Sequence, residues 1–377
     1  MDFQSFKSGN YIKRYKYQSF TPSKINMEWT WKEPIINVLL EEATGKLGKL
    51  DAFSLSVPDI DLFIKMHVIK EANASSKIEG TKTEIDEALM DKQDIAPEKR
   101  DDWQEVQNYV KAMNYAIQRM NNLPLSSRLL RETHKILLDS ARGEKKCPGE
   151  FRKSQNWIGG SSLSDAIYVP PSHEEIDELM NDFDNFLHND KINVPHLIRI
   201  ALAHYQFETI HPFLDGNGRI GRLIITLYLV NNKLLTKPSL YLSDFFEKNR
   251  LAYFDALSIA RQSNDIIHWI KFFLNAVIYT AEKGVNTFIK ILELKDKVNE
   301  KIITLNKKAG NAKKLIEYLY KTPVTNAAQV SAALNLTLKT AYSIIDDFEN
   351  LNILQETTGN QRNKIFIFRD YYNLFLD

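Results

Sequence analysis

The chain has 377 residues, 44% hydrophobic and 26% charged, with a formal net charge of +1. That length and apolar content support two or three domains with a sizeable core. The near-zero charge excludes a global electrostatic pull toward nucleic acid or an anionic membrane. The single cysteine, Cys147, excludes an internal disulfide and favours a reducing compartment. Met1 to Ser5 lacks the basic-then-apolar pattern of a secretory leader, and no run of about eighteen apolar residues occurs, so a cytoplasmic protein without a membrane span is expected.

In chain order the pattern is mainly α. Residues 1–55 hold an extended, aromatic-rich start and then a helix near Pro34 to Thr44. From about Asp59 to residue 145 the periodicity predicts several helices, broken at Ile95-Ala96-Pro97 and at Leu123-Pro124. Within the first of these, Ser75-Ser76-Lys77-Ile78-Glu79-Gly80 ends on a glycine suited to a helix C-terminus. Two β-prone runs then flank a Gly/Ser-rich turn, Gly159 to Ser164, and predict a hairpin over Trp157 to Tyr168.

Pro195 to Ile210 and Arg219 to Val230 both carry apolar residues at helical spacing. Between them lies His211-Pro212-Phe213-Leu214-Asp215-Gly216-Asn217-Gly218, and the run continues through Arg219, Ile220 and Gly221 to Arg222. These are parts for handling a polyphosphate. Glycines let backbone N–H groups turn toward an anion. Arginines add fixed charge and forked donors. A carboxylate suits Mg²⁺, and a histidine takes a proton near neutral pH. The loop opens a helix whose positive end faces whatever the loop holds. A Walker P-loop would need Lys and then Ser or Thr after the last glycine; here Arg219 and Ile220 follow Gly218. His196, His204 and His211 are spaced eight and seven apart, unlike a helical metal pair, so no structural metal is expected.

Downstream, Asn249 to Phe254 opens a helix to about Arg261, with Tyr253 a candidate to stack on a base. Glu282 to Lys314 predicts a connecting helix. The C-terminal residues then give a helix (Lys313 to Tyr320), a short helix (Asn326 to Ala333), a third with Thr337 as N-cap, and strands at Ile353 to Glu356 and Lys364 to Phe368 around Thr357-Thr358-Gly359-Asn360. That order resembles a winged helix-turn-helix. Its third helix carries Lys339 but also Asp346, Asp347 and Glu349, and its wing offers Arg362 and Lys364, a sparse set for phosphate contacts.

The segment from His211 to Arg222 resembles the signature of Fic-domain proteins, His-x-Phe-x-(Asp/Glu)-Gly-Asn-Gly-Arg-x-x-Arg, at every defined position. The resemblance implies a Fic helical core with a β-hairpin flap, and transfer of AMP from ATP to a Ser, Thr or Tyr hydroxyl of a protein, itself included. It makes His211 the general base and Asp215 the holder of Mg²⁺. Gly216, Asn217 and Gly218 become the anion hole, within a phosphate-binding run that extends through Arg219, Ile220, Gly221 and Arg222. Asn249 and Tyr253 fall on the adenine side, and Trp157, Ile158, Gly159 and Gly160 in the flap. Ser75, Glu79 and Gly80 match the family's inhibitory motif, (Ser/Thr)-x-x-x-Glu-(Gly/Asn), which implies that Glu79 pairs with Arg222 and keeps it from the γ-phosphate. Self-modification and self-association are expectations of the resemblance alone. The expected organisation is a helical region with the inhibitory helix (1–104), the catalytic core (105–280), a connecting helix (281–312) and a winged-helix-like domain (313–377). The alternative is a nucleotide-sensing regulator that binds DNA through the winged helix; the complete signature favours the enzyme.

Overall fold

The computed structural model describes residues 1–56, 60–140, 143–359 and 364–376. The protein is mainly helical, as expected. Its extended start is a hairpin, β1 (Gly9–Lys13) and β2 (Gln18–Pro22), antiparallel with Gly9 opposite Pro22 and Lys13 opposite Gln18. Phe3, Phe6 and Trp29 are buried beside it and reach a central helix through Tyr205, 6.2 Å from Phe6 between ring centroids.

The first helix, α1 (Pro34–Ser56), starts on a proline whose missing N–H costs nothing there. It runs well past Thr44, its expected end. Next come α2 (Ile60–Ile78), α3 (Ile85–Leu89), α4 (Arg100–Arg119) and α5 (Ser127–Leu137). The expected proline breaks fall between α3 and α4 and between α4 and α5.

The centre is built from α6 (Ile176–His188), α7 (His196–Ile210) and α8 (Asn217–Asn231). All of α7 except His196 and Glu208 is buried. A helix covered on every side must satisfy its polar groups internally. Arg199 donates to the carbonyls of Phe186, Asn189 and Ile192, and Gln206 to that of Ser23. Trp269 Nε1 donates to the Ala201 carbonyl. The site therefore stands on a rigid floor.

After α9 (Ser243–Lys248) and α10 (Arg250–Ser263), α11 (Ile266–Ile303) is one rod of 38 residues, capped by Asp265, which accepts from the His268 N–H. The connecting helix expected from Glu282 is its second half, and the expected boundary at 280/281 falls inside it. The reason is an unbroken apolar face: Ile266, Trp269, Phe273, Val277, Ala281, Val285 and Phe288 are all buried at three- and four-residue spacing. α1 lies along α11.

The C-terminal unit comprises α12 (Ala309–Lys321), β3 (Val324–Asn326), α13 (Ala327–Leu334), α14 (Leu338–Asn350), β4 (Gln355–Glu356), β5 (Ile365–Ile367) and α15 (Arg369–Asn373). Its antiparallel sheet has the order β3-β5-β4. Thr337 caps α14 as expected, accepting from the Thr340 N–H. β3 and α15 are additions to the expected order. Asn360 and Arg362 of the wing lie outside the described residues. The unit packs on α2, with Phe63 5.2 Å from Tyr320 and 6.1 Å from Tyr371 between ring centroids. Among the described residues, no helix is long and apolar enough to cross a membrane.

Candidate active site

α7 ends at His211, whose φ of 52° turns the chain out of the helix while its N–H still bonds the Phe207 carbonyl. Left-handed backbone is uncommon for a residue with a Cβ, and neighbours hold it here. Arg152 is buried, and its guanidinium donates to the carbonyls of His211 (3.0 Å), Ser154 (3.1 Å) and Pro171 (2.6 Å). Burial pulls its pKa down to about 10, so it stays charged. His134 of α5 stacks on Phe213, 3.8 Å between centroids and 10° from parallel. Its Nδ1 accepts from the Gly149 N–H, so its Nε2–H donates to the Asp215 carbonyl. Burial drives its pKa down to about 4, which keeps that tautomer neutral. Asn217 closes the loop from within: Oδ1 accepts from the Phe213 N–H and Nδ2 donates to the Phe213 carbonyl. Neither Arg152 nor His134 stands out in the sequence, and the Asn217 side chain serves the loop rather than a ligand.

His211 Nδ1 is buried, and the ring lies beside the Glu208 backbone, whose hydrogen bond favours the protonated ring. Burial, reinforced by the Arg152 charge, lowers the ring pKa to about 4. At neutral pH the ring is uncharged and able to accept a proton. The Asp215 carboxylate is 47% exposed at the lip of the loop; its Oδ1 accepts from the Gly216 N–H at 2.6 Å and lies 3.7 Å from Arg219. One accessible carboxylate, completed by phosphate oxygens and water, is what Mg²⁺ asks of a protein, so the residues fit that ion.

Gly216, with φ of 73°, precedes α8 and directs the first N–H groups of the helix, which have no intrahelical acceptor, toward the same space. Glu79, one residue beyond α2, reaches into it. A Cβ built on Gly218 would lie 2.2 Å from Glu79 Oε1, so the carboxylate rests directly on the first turn of α8. The same oxygen is 2.6 Å from Arg222 Nη2. Arg222 also donates through Nε to Ser75 Oγ (2.9 Å) and through Nη2 to the Ser75 carbonyl (2.8 Å). Burial raises the Glu79 pKa, but the charge and hydrogen bond of Arg222 outweigh it, and the group is ionised at neutral pH. Gly80, with φ of 106°, ends the turn behind it.

The rest of the expected run is divided. Arg219 pairs with Glu105 of α4 at 3.1 Å. Ile220 is fully buried, and Gly221 is pressed against α7, where a Cβ would meet Glu208 Oε1 at 2.1 Å. Both face the core and not the space beneath Glu79. Tyr253 is a correction: it is buried, stacked 4.5 Å from Phe246, with its hydroxyl 2.8 Å from His204 Nε2, so it has no face for a base. Asn249 is exposed at the α9–α10 junction, its side-chain amide donating to the Phe245 carbonyl.

The expected hairpin is reduced to one antiparallel bridge, Ile158 with Tyr168. Beyond it Gly159 and Gly160 take positive φ, and Asp165 accepts from the N–H and hydroxyl groups of Ser161 and Ser162, so side chains close a turn that a strand ladder would otherwise carry. Trp157 and Ile158 are each 40% exposed. The base is anchored: Tyr168 donates to the Thr209 carbonyl of α7 at 2.6 Å, and Arg261 lies 3.7 Å over its ring.

The family model described as "Fic/DOC family N-terminal" matches residues 38–118, and that described as "Fic/DOC family" matches residues 124–229. Curated relatives called "Protein adenylyltransferase Fic" include one from Aedes aegypti, 34% identical over 125 residues, and one from Culex quinquefasciatus, 33% identical over 125 residues. Each match covers 33% of this chain and 22% of the relative, so the chain spans about a fifth of the length of these relatives. Among solved structures, a Fic family protein from Desulfovibrio desulfuricans G20 aligns with a TM-score of 0.58 at 22% identity, over 89% of this chain and 96% of that one. A Fic domain containing signaling protein from Bacteroides thetaiotaomicron aligns with a TM-score of 0.52 at 19% identity, over 66% and 95%; at such identities both speak for the fold alone. Two consecutive family matches, with a complete signature on the α7–α8 turn, show that residues 38–229 of the chain belong to the Fic/DOC family.

Proposed function

We propose that this protein is an adenylyltransferase that moves AMP from ATP to a Ser, Thr or Tyr hydroxyl of a protein, itself included, and that Glu79 holds it off. The hydroxyl oxygen attacks the α-phosphorus; a new O–P bond forms, the bond to the bridging oxygen breaks, and pyrophosphate leaves. His211 takes the hydroxyl proton on its imidazole ring. The first turn of α8 and Arg222 offset the charge that develops on the phosphates. Asp215 would hold Mg²⁺, which neutralises phosphate charge when bound. Arg219 leans on the same side once it yields Glu105. Asn249 is the remaining adenine-side candidate, and residues 157–168 would align the target by strand addition, which reads backbone more than side chain. We also read the C-terminal unit as a winged helix serving protein contact, because α14 brings Asp346, Asp347 and Glu349 against Lys339.

The observation that carries the reading is the Glu79 carboxylate lying on Gly218 and bonded to Arg222. It sets a negative charge where a nucleotide's phosphate must go and occupies the arginine that would receive it. The names of the insect relatives support AMP as the transferred group. The test combines Mg²⁺ and ATP labelled at the α-phosphate with Glu79→Gly and with Glu79→Gly/His211→Ala, read by mass spectrometry of the protein. An AMP-sized addition on the first, absent from the second, is expected. ATP binding without addition on either overturns the transferase reading.

A further inference from the structure

The helix that leads to Glu79 meets the same arginine earlier along its length. Glu71, Ser75 and Glu79 follow one another at four-residue spacing, so they share one face of α2 and of the turn beyond it. That face lies against α8. Ser75 and Glu79 both bond to Arg222, and the Arg222 charge acts on Glu71 as well. Glu71 is 2% exposed, and Ser75 and Tyr109 of α4 are fully buried. A carboxylate this deep in the protein is costly unless donors surround it.

Hydrogen bonds join these groups in a single direction. Arg222 Nε donates to Ser75 Oγ at 2.9 Å. The Ser75 hydroxyl donates in turn to the Tyr109 hydroxyl, and Tyr109 donates to Glu71 Oε1 at 3.2 Å. Ser243, at the start of α9, fixes the far end: its N–H donates to Glu71 Oε2 at 3.0 Å and its hydroxyl to Oε1. Burial holds the Tyr109 phenol well above its ordinary pKa, so it remains a donor. Burial also pushes the Glu71 pKa up, against the Ser243 hydrogen bonds, the Arg222 charge and the Tyr109 hydroxyl. A chain with a cation at one end and a carboxylate at the other polarises every link the same way.

Arg222 has two other acidic neighbours. Glu79 is the brake itself. Glu208 is near enough for its charge to act on Arg222, yet burial raises it to about 7 and its buried Oε1 has no hydrogen-bond partner; it adds charge without direction. A guanidinium that is 1% exposed keeps one orientation through bonds to fixed groups. Once Glu79 is away, those bonds are the relay and the Ser75 carbonyl at 2.8 Å. We propose that Glu71 and Tyr109 are positioning residues for Arg222: acting through Ser75, they hold its guanidinium toward the outermost phosphate of ATP after Glu79 withdraws. α2 then carries a support in its middle and a brake just beyond its end. The proposal rests on the reading of Arg222 as the phosphate-receiving arginine.

The test is nucleotide binding by isothermal titration calorimetry, with ATP and with ADP at one Mg²⁺ concentration. The reference is the full chain carrying Glu79→Gly/His211→Ala, in which the brake is removed and turnover is blocked. It is expected to bind ATP more tightly than ADP. Tyr109→Phe, added to the reference, keeps the ring and removes one hydroxyl. It is expected to lower ATP affinity about tenfold, the loss of a hydrogen bond in a charged chain, and to leave ADP affinity unchanged. Glu71→Gln is expected to do the same. The effect lies in affinity, apart from the release of Glu79 that governs rates at saturating ATP. Full ATP preference in Tyr109→Phe overturns the positioning role alone. An equal loss for both nucleotides is damage to the fold and overturns it too. A reference that does not prefer ATP overturns the reading of Arg222, and the positioning role with it.

Discussion

At the scale of single residues, the proposed chemistry rests on a histidine that is neutral, buried and held in strained backbone. A general base contributes roughly 10²- to 10⁴-fold, and His211→Ala in the Glu79→Gly background is expected to lose transfer by that much in a single-turnover assay. With its pKa lowered to about 4, His211 stays in its base form well below the usual histidine range. The Glu79 charge raises that pKa, so in Glu79→Gly the ring stays in its base form to still lower pH, and the pH profile should not fall through 6.5; a midpoint near 6.5 would mean that a more exposed group is the base. Arg152 is the other decisive residue. Arg152→Met keeps the apolar stem but strips the carbonyls of His211, Ser154 and Pro171 of their donor, and should cost about 3 kcal/mol, seen as a lower denaturant midpoint with unchanged slope. The sequence made His211, Asp215, Arg222 and Glu79 legible because their chemistry is compressed into short, ordered runs. It hid Arg152 and His134 because their partners lie 59 and 81 residues further on and no local spacing marks such contacts. It misled at Tyr253, since an aromatic at helical spacing reads alike whether it faces a nucleotide or the His204–Phe246–Trp269 cluster.

At the scale of elements, α2 and α8 form one device. Ser75 and Glu79 lie one helical turn apart, so both face the same arginine on α8, and the short fold of α8 begins at a glycine that leaves its N–H groups pointing outward. Removing the Ser75 hydroxyl takes away one bond to Arg222, worth about 1 kcal/mol, while Glu79 stays in place. Ser75→Ala should then show self-modification raised by roughly fivefold, between wild type and Glu79→Gly. A rate equal to wild type would assign the restraint of Arg222 to Glu79 alone. The helices themselves were readable from apolar spacing, but their ends were not. α1 outruns its expected end because residues beyond Thr44 keep packing on α11, and α11 absorbs the expected connector because its buried face never lapses. The flap falls short of a hairpin because Asp165 folds Ser161 and Ser162 onto itself, a local competition that alternation of apolar residues does not report.

At the scale of the whole molecule, burial of neutral imidazoles ties the fold to pH. His67 and His204 are held down to about 3, and His134 and His211 to about 4, each with burial as the leading cause. Their folded pKa values lie below the unfolded value of about 6.5, so the unfolded chain binds more protons between the two. The stability these groups contribute is fully present above about pH 6.5 and is lost as pH falls toward 4. Glu208 acts in the opposite sense: burial raises it to about 7, so its contribution is lost as pH rises from about 4.5 through 7. Glu71 and Asp184 are raised by burial as well, but the four histidines, joined by carboxylates that partners hold low such as Glu79 and Asp244, outweigh them, and Tm should drop steadily from pH 6.5 to 4; a flat Tm across that window would contradict the buried, neutral state of these rings. The C-terminal unit joins the same fabric, because Tyr320 and Tyr371 pack against Phe63 of α2. Its three helices, the Thr337 cap and the strands β4 and β5 were legible in the sequence, whereas β3, α15 and its seat on α2, made by Tyr320 across roughly 260 residues of chain, were not.

The central claim is that the Glu79 carboxylate occupies the place of a nucleotide phosphate and holds Arg222 away from it. The most direct measurement is the rate of AMP incorporation into the protein itself from α-labelled ATP, at saturating nucleotide, for wild type and Glu79→Gly side by side. A rise of about tenfold or more in the variant, equivalent to at least about 1.4 kcal/mol of restored transition-state stabilisation, is predicted; equal rates in the two proteins would contradict it.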